Sequence, residues 1–166
     1  PAGPRSITVP EHNEYIQAVS LLDAVINQHH SLSFPADDST TPLTKQLCYG
    51  VLRSYFELAF YRDQLLRKKL PRKHGDLDLL ILCGIYSIRN LKRPPHASVN
   101  ATVETTRSLN KSWASGMVNG VLRNFLRQQE KLEQIAADSP EARTNHPRWL
   151  LDMLEHQWPA FSDDII

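Results

Sequence analysis

Along nearly the whole chain the apolar residues return every three or four positions and show no convincing alternation. That spacing turns one face of a helix inward and gives no strand from which a sheet could grow. Tyr15 to Gln28 puts Val19, Leu22, Val25 and Ile26 on such a face, and Thr8-Val-Pro-Glu11 just upstream resembles a capping box. Ser31 to Pro42 holds prolines, Asp37-Asp38 and a Ser/Thr cluster, the composition of a loop. From Leu43 the period resumes through Leu47, Cys48, Val51, Leu52 and Tyr55, then Leu58, Leu65 and Leu66, with a break expected between Ser54 and Leu58. Pro71 and Gly75 separate this stretch from a helix over Leu77 to about Lys92. Its middle is apolar nearly all round, so it is expected to be the most buried element. Pro94-Pro95 stop it. Ala97 to Leu109 follows, then a long helix from Trp113 to about Ile135 with Val118, Val121, Leu122 and Phe125 inside. Asp138-Ser-Pro breaks that helix, and Pro147, at a first helical position, opens a last one carrying Leu150, Met153 and Leu154. About seven helices result, and the class is all-α.

The letters GVLR occur twice, at 50–53 and 120–123, with matching neighbours. Superposing the copies sets Cys48 on Val118, Val51 on Val121, Leu52 on Leu122 and Tyr55 on Phe125. Gly50, Gly84, Gly116 and Gly120 all fall inside helical patterns, where each costs roughly 0.5–1 kcal/mol relative to Ala. Such a cost persists where a missing side chain lets a neighbour approach. Two helices with similar packing duties are therefore expected, each closely crossed at its glycine, with Arg53 and Arg123 at the edge of the contact. Those arginines either bond a neighbouring loop or helix end, or reach RNA.

Charge adds a second signal. Residues 1–41 carry one Lys/Arg against five Asp/Glu, residues 42–131 sixteen against six, and residues 132–166 two against seven. A net +1 thus hides a basic middle between acidic ends, and local field rather than total charge attracts polyanions. The strongest cluster is RKKLPRKHGD, which packs Arg67, Lys68, Lys69, Arg72 and Lys73 into seven positions between two helices. Some of this charge complements a helix C-terminus. The remainder would suit phosphate, gaining affinity by counterion release without sequence choice. Arg89, Lys92, Arg93, Arg107 and Lys111, near helix ends, could extend the same surface.

Catalytic signatures are missing. There is no G-x-G-x-x-G, P-loop, H-E-x-x-H or C-x-x-C, and the seven histidines show no ligand spacing. No catalytic residue, metal site or cofactor site is assigned within the chain. Cys48 and Cys83 sit among apolar residues and read as buried thiols of a reduced compartment, which points to the cytoplasm. No apolar run approaches the length of a bilayer span, and no secretory signal opens the chain. Pro1 in place of Met suggests an engineered or processed start.

Three segments together resemble a known family: LCYGVLR, the run LLILCGIYSIRNLKRPPHASVNATVE, and MVNGVLRNFLR. They look like the N-terminal helical domain of the RsmB/Sun (Fmu) ribosomal RNA methyltransferases, which make 5-methylcytosine in small-subunit RNA. NHPRWLLDMLEHQWP resembles the segment joining that domain to the rest of the enzyme. The resemblance covers roughly residues 15–166. It implies a NusB-like, RNA-binding helical bundle of two small sub-bundles, with GVLR in corresponding core helices. It also implies a Rossmann-like catalytic domain binding S-adenosylmethionine that these residues do not contain; Cys48 and Cys83 match neither catalytic cysteine motif. One departure matters. NusB-like proteins usually begin their first helix with arginine-rich sequence that helps bind RNA, whereas EHNEYIQAVS has two glutamates and no Lys or Arg. The expected RNA contacts therefore move to Arg67, Lys68, Lys69, Arg72, Lys73, Lys111 and the GVLR arginines Arg53 and Arg123.

The organisation expected is an uncertain N-terminal segment over 1–14, a NusB-like RNA-binding domain over 15–137, and a linker and helix over 138–166. Ribosomal RNA and the chain's own C-terminal methyltransferase domain are the expected partners, with no membrane; a monomer is the expectation. Two other functions stay open. One is a protein-interaction module, favoured by the acidic first helix and by Trp149 and Trp158, which would otherwise complete the domain's own core. The other is a free-standing antitermination factor of the NusB type.

Overall fold

The computed structural model describes residues 11–37 and 39–157. Eight α-helices and two 3-10 turns make up the described residues, without a strand. The helices are α1 (Glu11–Ile26), α2 (Pro42–Arg53), α3 (Tyr55–Leu65), α4 (Gly75–Asn90), α5 (Pro95–Ser108), α6 (Ser115–Asp138), α7 (Pro140–Thr144) and α8 (Arg148–Gln157). The capping box at Thr8 lies outside the described residues. No helix among them is long and apolar enough to cross a membrane.

Local sequence explains most boundaries. Thr41 caps α2, its Oγ1 accepting the Thr44 N–H at 3.3 Å, and Pro42 follows at the position where a missing N–H costs nothing. Pro95 likewise takes the first position of α5, while α4 has already ended at Asn90, short of the two prolines. Pro147 stands just ahead of α8, not within it as the sequence suggested; its carbonyl accepts the Leu151 N–H at 3.2 Å. The break after α2 is sharp. Ser54 leaves the helical region, with φ −110° and ψ 22°, yet α3 starts at the next residue.

The α4 helix is the axle. It packs against α1, α2, α3, α5 and α6, and Leu77, Leu79, Leu80, Ile81, Leu82, Cys83, Gly84, Ile85 and Ser87 are buried along it. An element apolar all round can only be satisfied in such a position. On one side Tyr15 of α1 donates to Ser87 Oγ at 2.8 Å, and Ser87 donates to the Cys83 carbonyl. On the other, Tyr61 of α3 and Phe125 of α6 meet at 5.4 Å between ring centres. Four polar residues of α5 (Ser98, Thr102, Thr105 and Thr106) are also buried. The three threonines return their hydroxyls to carbonyls three or four residues back, at 2.6–2.8 Å, so that burial leaves no donor unmet.

The glycines behave less uniformly than the repeated motif suggests. A Cβ on Gly84 would lie 2.9 Å from Leu122 and 3.0 Å from Thr102, so α5 and α6 both close on α4 there. At Gly50 the close neighbour is a side chain: a Cβ would lie 2.1 Å from Tyr86 Cζ. Gly120 and Gly116 meet nothing within 4 Å, which corrects the expectation that each GVLR glycine is closely crossed. The apolar stripe is shared between the copies, but only the first copy turns its glycine towards another helix. The second belongs to a 24-residue helix that runs on unbroken where the first stops at Arg53.

Cys48 and Cys83 are both buried and unbonded to each other. Burial pushes the Cys48 thiol up to about 12 and raises Cys83 as well, with Cys48 adding to the latter. Both thiols therefore stay protonated at neutral pH.

Candidate nucleic-acid interface

Between the end of α3 and the start of α4 the chain is anchored by Leu66 and Leu70, which pack against the core. Arg67, Lys68, Lys69, Arg72 and Lys73 stand exposed around those anchors. Pro71 accepts the His74 N–H at 2.8 Å, closing the 3-10 turn Arg72–His74 that leads into α4. None of the five cations forms an ion pair with a described residue. Lys69 comes near enough to Asp78 to favour its ionised form, although burial, opposing this, holds the Asp78 carboxyl above its ordinary range.

Beside the loop lies an open cleft of about 930 Å³, lined by Asp23 of α1, Arg62 and Asp63 of α3, and Asp76 and Asp78 of α4. Arg62 is committed here, to Asp78 at 2.7 Å and Asp63 at 3.0 Å. With four aspartates in its lining, the cleft itself does not suit a polyanion. The unpaired positive charge in the same lining is that of Lys69, Arg72 and Lys73.

Lys111 is placed differently from the other candidates. Its ammonium bonds Asp76 Oδ1 at 2.6 Å and the Lys73 carbonyl at 3.3 Å, and its side chain is only 18 % exposed. It ties the segment before α6 to the basic turn, with its charge already met. Arg53 and Arg123 are exposed, and Arg123 Nε donates to Asn119 Oδ1 at 3.0 Å. Arg53 sits at the far end of α3 from the loop, about 16 Å away along an 11-residue helix. The structure thus gathers Arg67, Lys68, Lys69, Arg72, Lys73 and Lys111 at one end of the molecule and leaves Arg53 apart.

Of the further cations expected on this surface, two turn inward. Arg89 bridges Glu57 at 2.9 Å and Glu133 at 3.1 Å while lying over the Tyr61 ring, which locks α3, α4 and α6 together. Arg93 donates to Ser98 Oγ at 3.1 Å and to the Tyr15 hydroxyl, and lies over that ring. Lys92 and Arg107 remain exposed. Spacing along a helix could not reveal this difference, because acceptors for the inward pair come from other helices.

The structure brings out one aromatic residue that the sequence did not single out and decides the place of another. Trp113 lies in the 3-10 turn Ser112–Ala114 ahead of α6, exposed and edge-on to His74 with 4.9 Å between ring centres. An indole in the polar run KSWASG is the signal that could have drawn attention to it. Trp149 of α8 is 67 % exposed, so it does not complete the core; Trp158 lies outside the described residues.

The described residues thus form an all-helical bundle wound on one buried helix, with unpaired cations crowded at one end. The sequence pattern of the NusB family matches residues 11–127, which takes in α1 to α5 and half of α6. The chain belongs to the NusB family. It is 38 % identical to the ribosomal RNA small subunit methyltransferase B of Pectobacterium atrosepticum, over 86 % of this chain and 34 % of that protein. The probable ribosomal RNA small subunit methyltransferase B of Coxiella burnetii is 33 % identical, over 88 % of this chain and 34 % of that protein. The corresponding enzyme of Pectobacterium carotovorum is 37 % identical, over 90 % and 36 %. The chain spans about a third of the length of these relatives.

Proposed function

We propose that this chain is the RNA-binding domain of a cytoplasmic small-subunit ribosomal RNA methyltransferase, positioning the RNA for a catalytic domain elsewhere in the same protein. That catalytic domain would bind S-adenosylmethionine and methylate cytosine at C5. The observation that carries the reading is the set of five exposed cations on the loop between α3 and α4, none of them paired with a described carboxylate. Cations already satisfied by protein carboxylates gain little from phosphate, whereas unpaired ones displace condensed counterions when RNA binds. In this reading the RNA-facing unit spans residues 15–137, and residues 138–166 begin the passage towards the catalytic part.

Binding of a small-subunit ribosomal RNA fragment is tested by filter retention across a salt series. Replacing Lys68, Lys69, Arg72 and Lys73 with Ala should weaken binding uniformly across RNA sequences. It should also reduce the slope of log K against log salt by about 3, at roughly 0.7–0.9 per lost phosphate contact. An unchanged affinity and slope would remove this surface from the reading.

A second reading has its own observation. Trp149 and Met153 are exposed on α8, and aromatic anchors with apolar neighbours suit a protein interface. Capture of a separately expressed methyltransferase domain without RNA, lost on Trp149→Ala, would favour docking over RNA positioning.

A further inference from the structure

Two 3-10 turns meet at the basic end of the molecule, Arg72–His74 ahead of α4 and Ser112–Ala114 ahead of α6. Lys111 joins them through Asp76 and the Lys73 carbonyl. The indole of Trp113 meets the His74 ring edge-on yet remains 63 % exposed. One ring can cover at most one face of another, so an aromatic plane is left open to solvent. Gly116, in the first turn of α6, is exposed as well, and a Cβ there would meet nothing within 4 Å. The helix therefore raises no side chain of its own at that position.

What surrounds the indole decides what it fits. Its companions in the two turns are the unpaired cations Arg72 and Lys73, with His74 and Ser112; Lys111, whose charge Asp76 meets, stands just before the second turn. The other exposed large apolar residues belong to α2, to the far half of α6 and to α8. A protein partner would favour an apolar centre with a charged rim, and centres of that kind are depleted in Lys. A lone π-surface within a cationic border instead matches the way unpaired bases are held. The cations follow the phosphates, and the ring takes the face of a base that no duplex would expose.

We infer that Trp113 is the stacking platform for an unpaired nucleobase of the bound RNA, so that the domain takes single-stranded or looped RNA in preference to duplex. The inference rests on the reading that the 67–73 loop meets RNA phosphate. Stacking adds what phosphate contact lacks, a distinction between paired and unpaired strands.

The test compares two RNA probes of equal nucleotide number by fluorescence anisotropy at one ionic strength. One probe is unstructured and the other is a fully paired hairpin with a minimal loop. Trp113→Ala should bind the unstructured probe about tenfold or more weakly and leave hairpin binding unchanged. Trp113→Phe should retain most of the preference. His74→Ala, which removes the ring contact but keeps the indole, should also retain it, and unchanged thermal midpoints show that the variants fold. A Trp113→Ala chain that binds the unstructured probe as the wild type does overturns the stacking role. The Ala variant of the four loop cations tests the other reading separately, because it should weaken both probes together. Binding of both probes at wild-type strength by that variant overturns the phosphate reading, and failure of the wild-type chain to bind either probe overturns both.

Discussion

Asn145 Oδ1 accepts the backbone N–H of Phe56 at 2.9 Å across 89 residues of sequence. It also accepts the Glu57 N–H at 3.3 Å, while its Nδ2 donates to the Arg53 carbonyl. The residue that should cap α3, Ser54, makes no side-chain bond to it. Asn145 fills that role from a distant loop, holding its own backbone in the left-handed region at φ 55°. A helix start, with its unmet N–H groups, is thereby stabilised by the chain segment that follows α7.

Asn145→Gly keeps the left-handed backbone accessible and removes only the cap. It should cost about 1 kcal/mol of stability, and Asn145→Ala about 1 kcal/mol more through strain at positive φ. Urea midpoints measure both; equal midpoints for the glycine variant and the wild type would show that the cap contributes nothing.

The two GVLR glycines should respond oppositely to alanine. Gly50→Ala drives a methyl group into the Tyr86 ring and should destabilise by about 1–3 kcal/mol. Gly120→Ala meets open space and should stabilise by about 0.5–1 kcal/mol through helix propensity. Thermal midpoints of the two variants moving in the same direction would contradict this assignment.

Lys111 and Lys73 separate structural from binding charge. Lys111→Ala loses its bond to Asp76, a partly exposed pair worth about 1 kcal/mol, and should lower the thermal midpoint with little change in the salt slope of RNA binding. Lys73→Ala should do the reverse, because its side chain is unpaired. A larger slope change for Lys111 than for Lys73 would exchange the two roles.

The buried thiols predict an alkaline limit. Cys48 titrates near 9 when unfolded and is pushed up to about 12 when folded, so the unfolded chain releases its proton first. Its contribution to stability is intact below about pH 9 and falls as the pH rises towards about 12; Cys83 acts in the same direction. Urea midpoints should drop between about pH 9 and about pH 12 less steeply in a Cys48→Ala, Cys83→Ala chain than in the wild type. Parallel slopes would remove the thiols as the cause.

Periodicity and helix breakers were enough to find the all-helical class, the burial of α4, the break near Ser54 and the end of α4 within a few residues ahead of Pro94-Pro95, because each is written in residues close along the chain. Partners distant in sequence were not readable. Arg89 and Arg93 look like surface cations by spacing, and only the arrival of Glu57 and Glu133 at the first and Tyr15 at the second turns them inward. The same limit hid the neutralised state of Lys111, the cap from Asn145 and the meeting of Trp113 with His74. The repeated GVLR misled for a related reason. Identical letters fix a local stripe but do not choose which neighbouring helix faces the glycine, and α6 leaves Gly120 facing nothing.

The ring of Tyr86 stands where any side chain at position 50 would have to grow. Sequence drift at these two positions therefore has a direction: a smaller residue at 86 makes room for a larger one at 50, whereas the opposite order passes through a variant in which the Tyr86 ring has to give way. No such ordering governs position 120, where the chain is free to wander first.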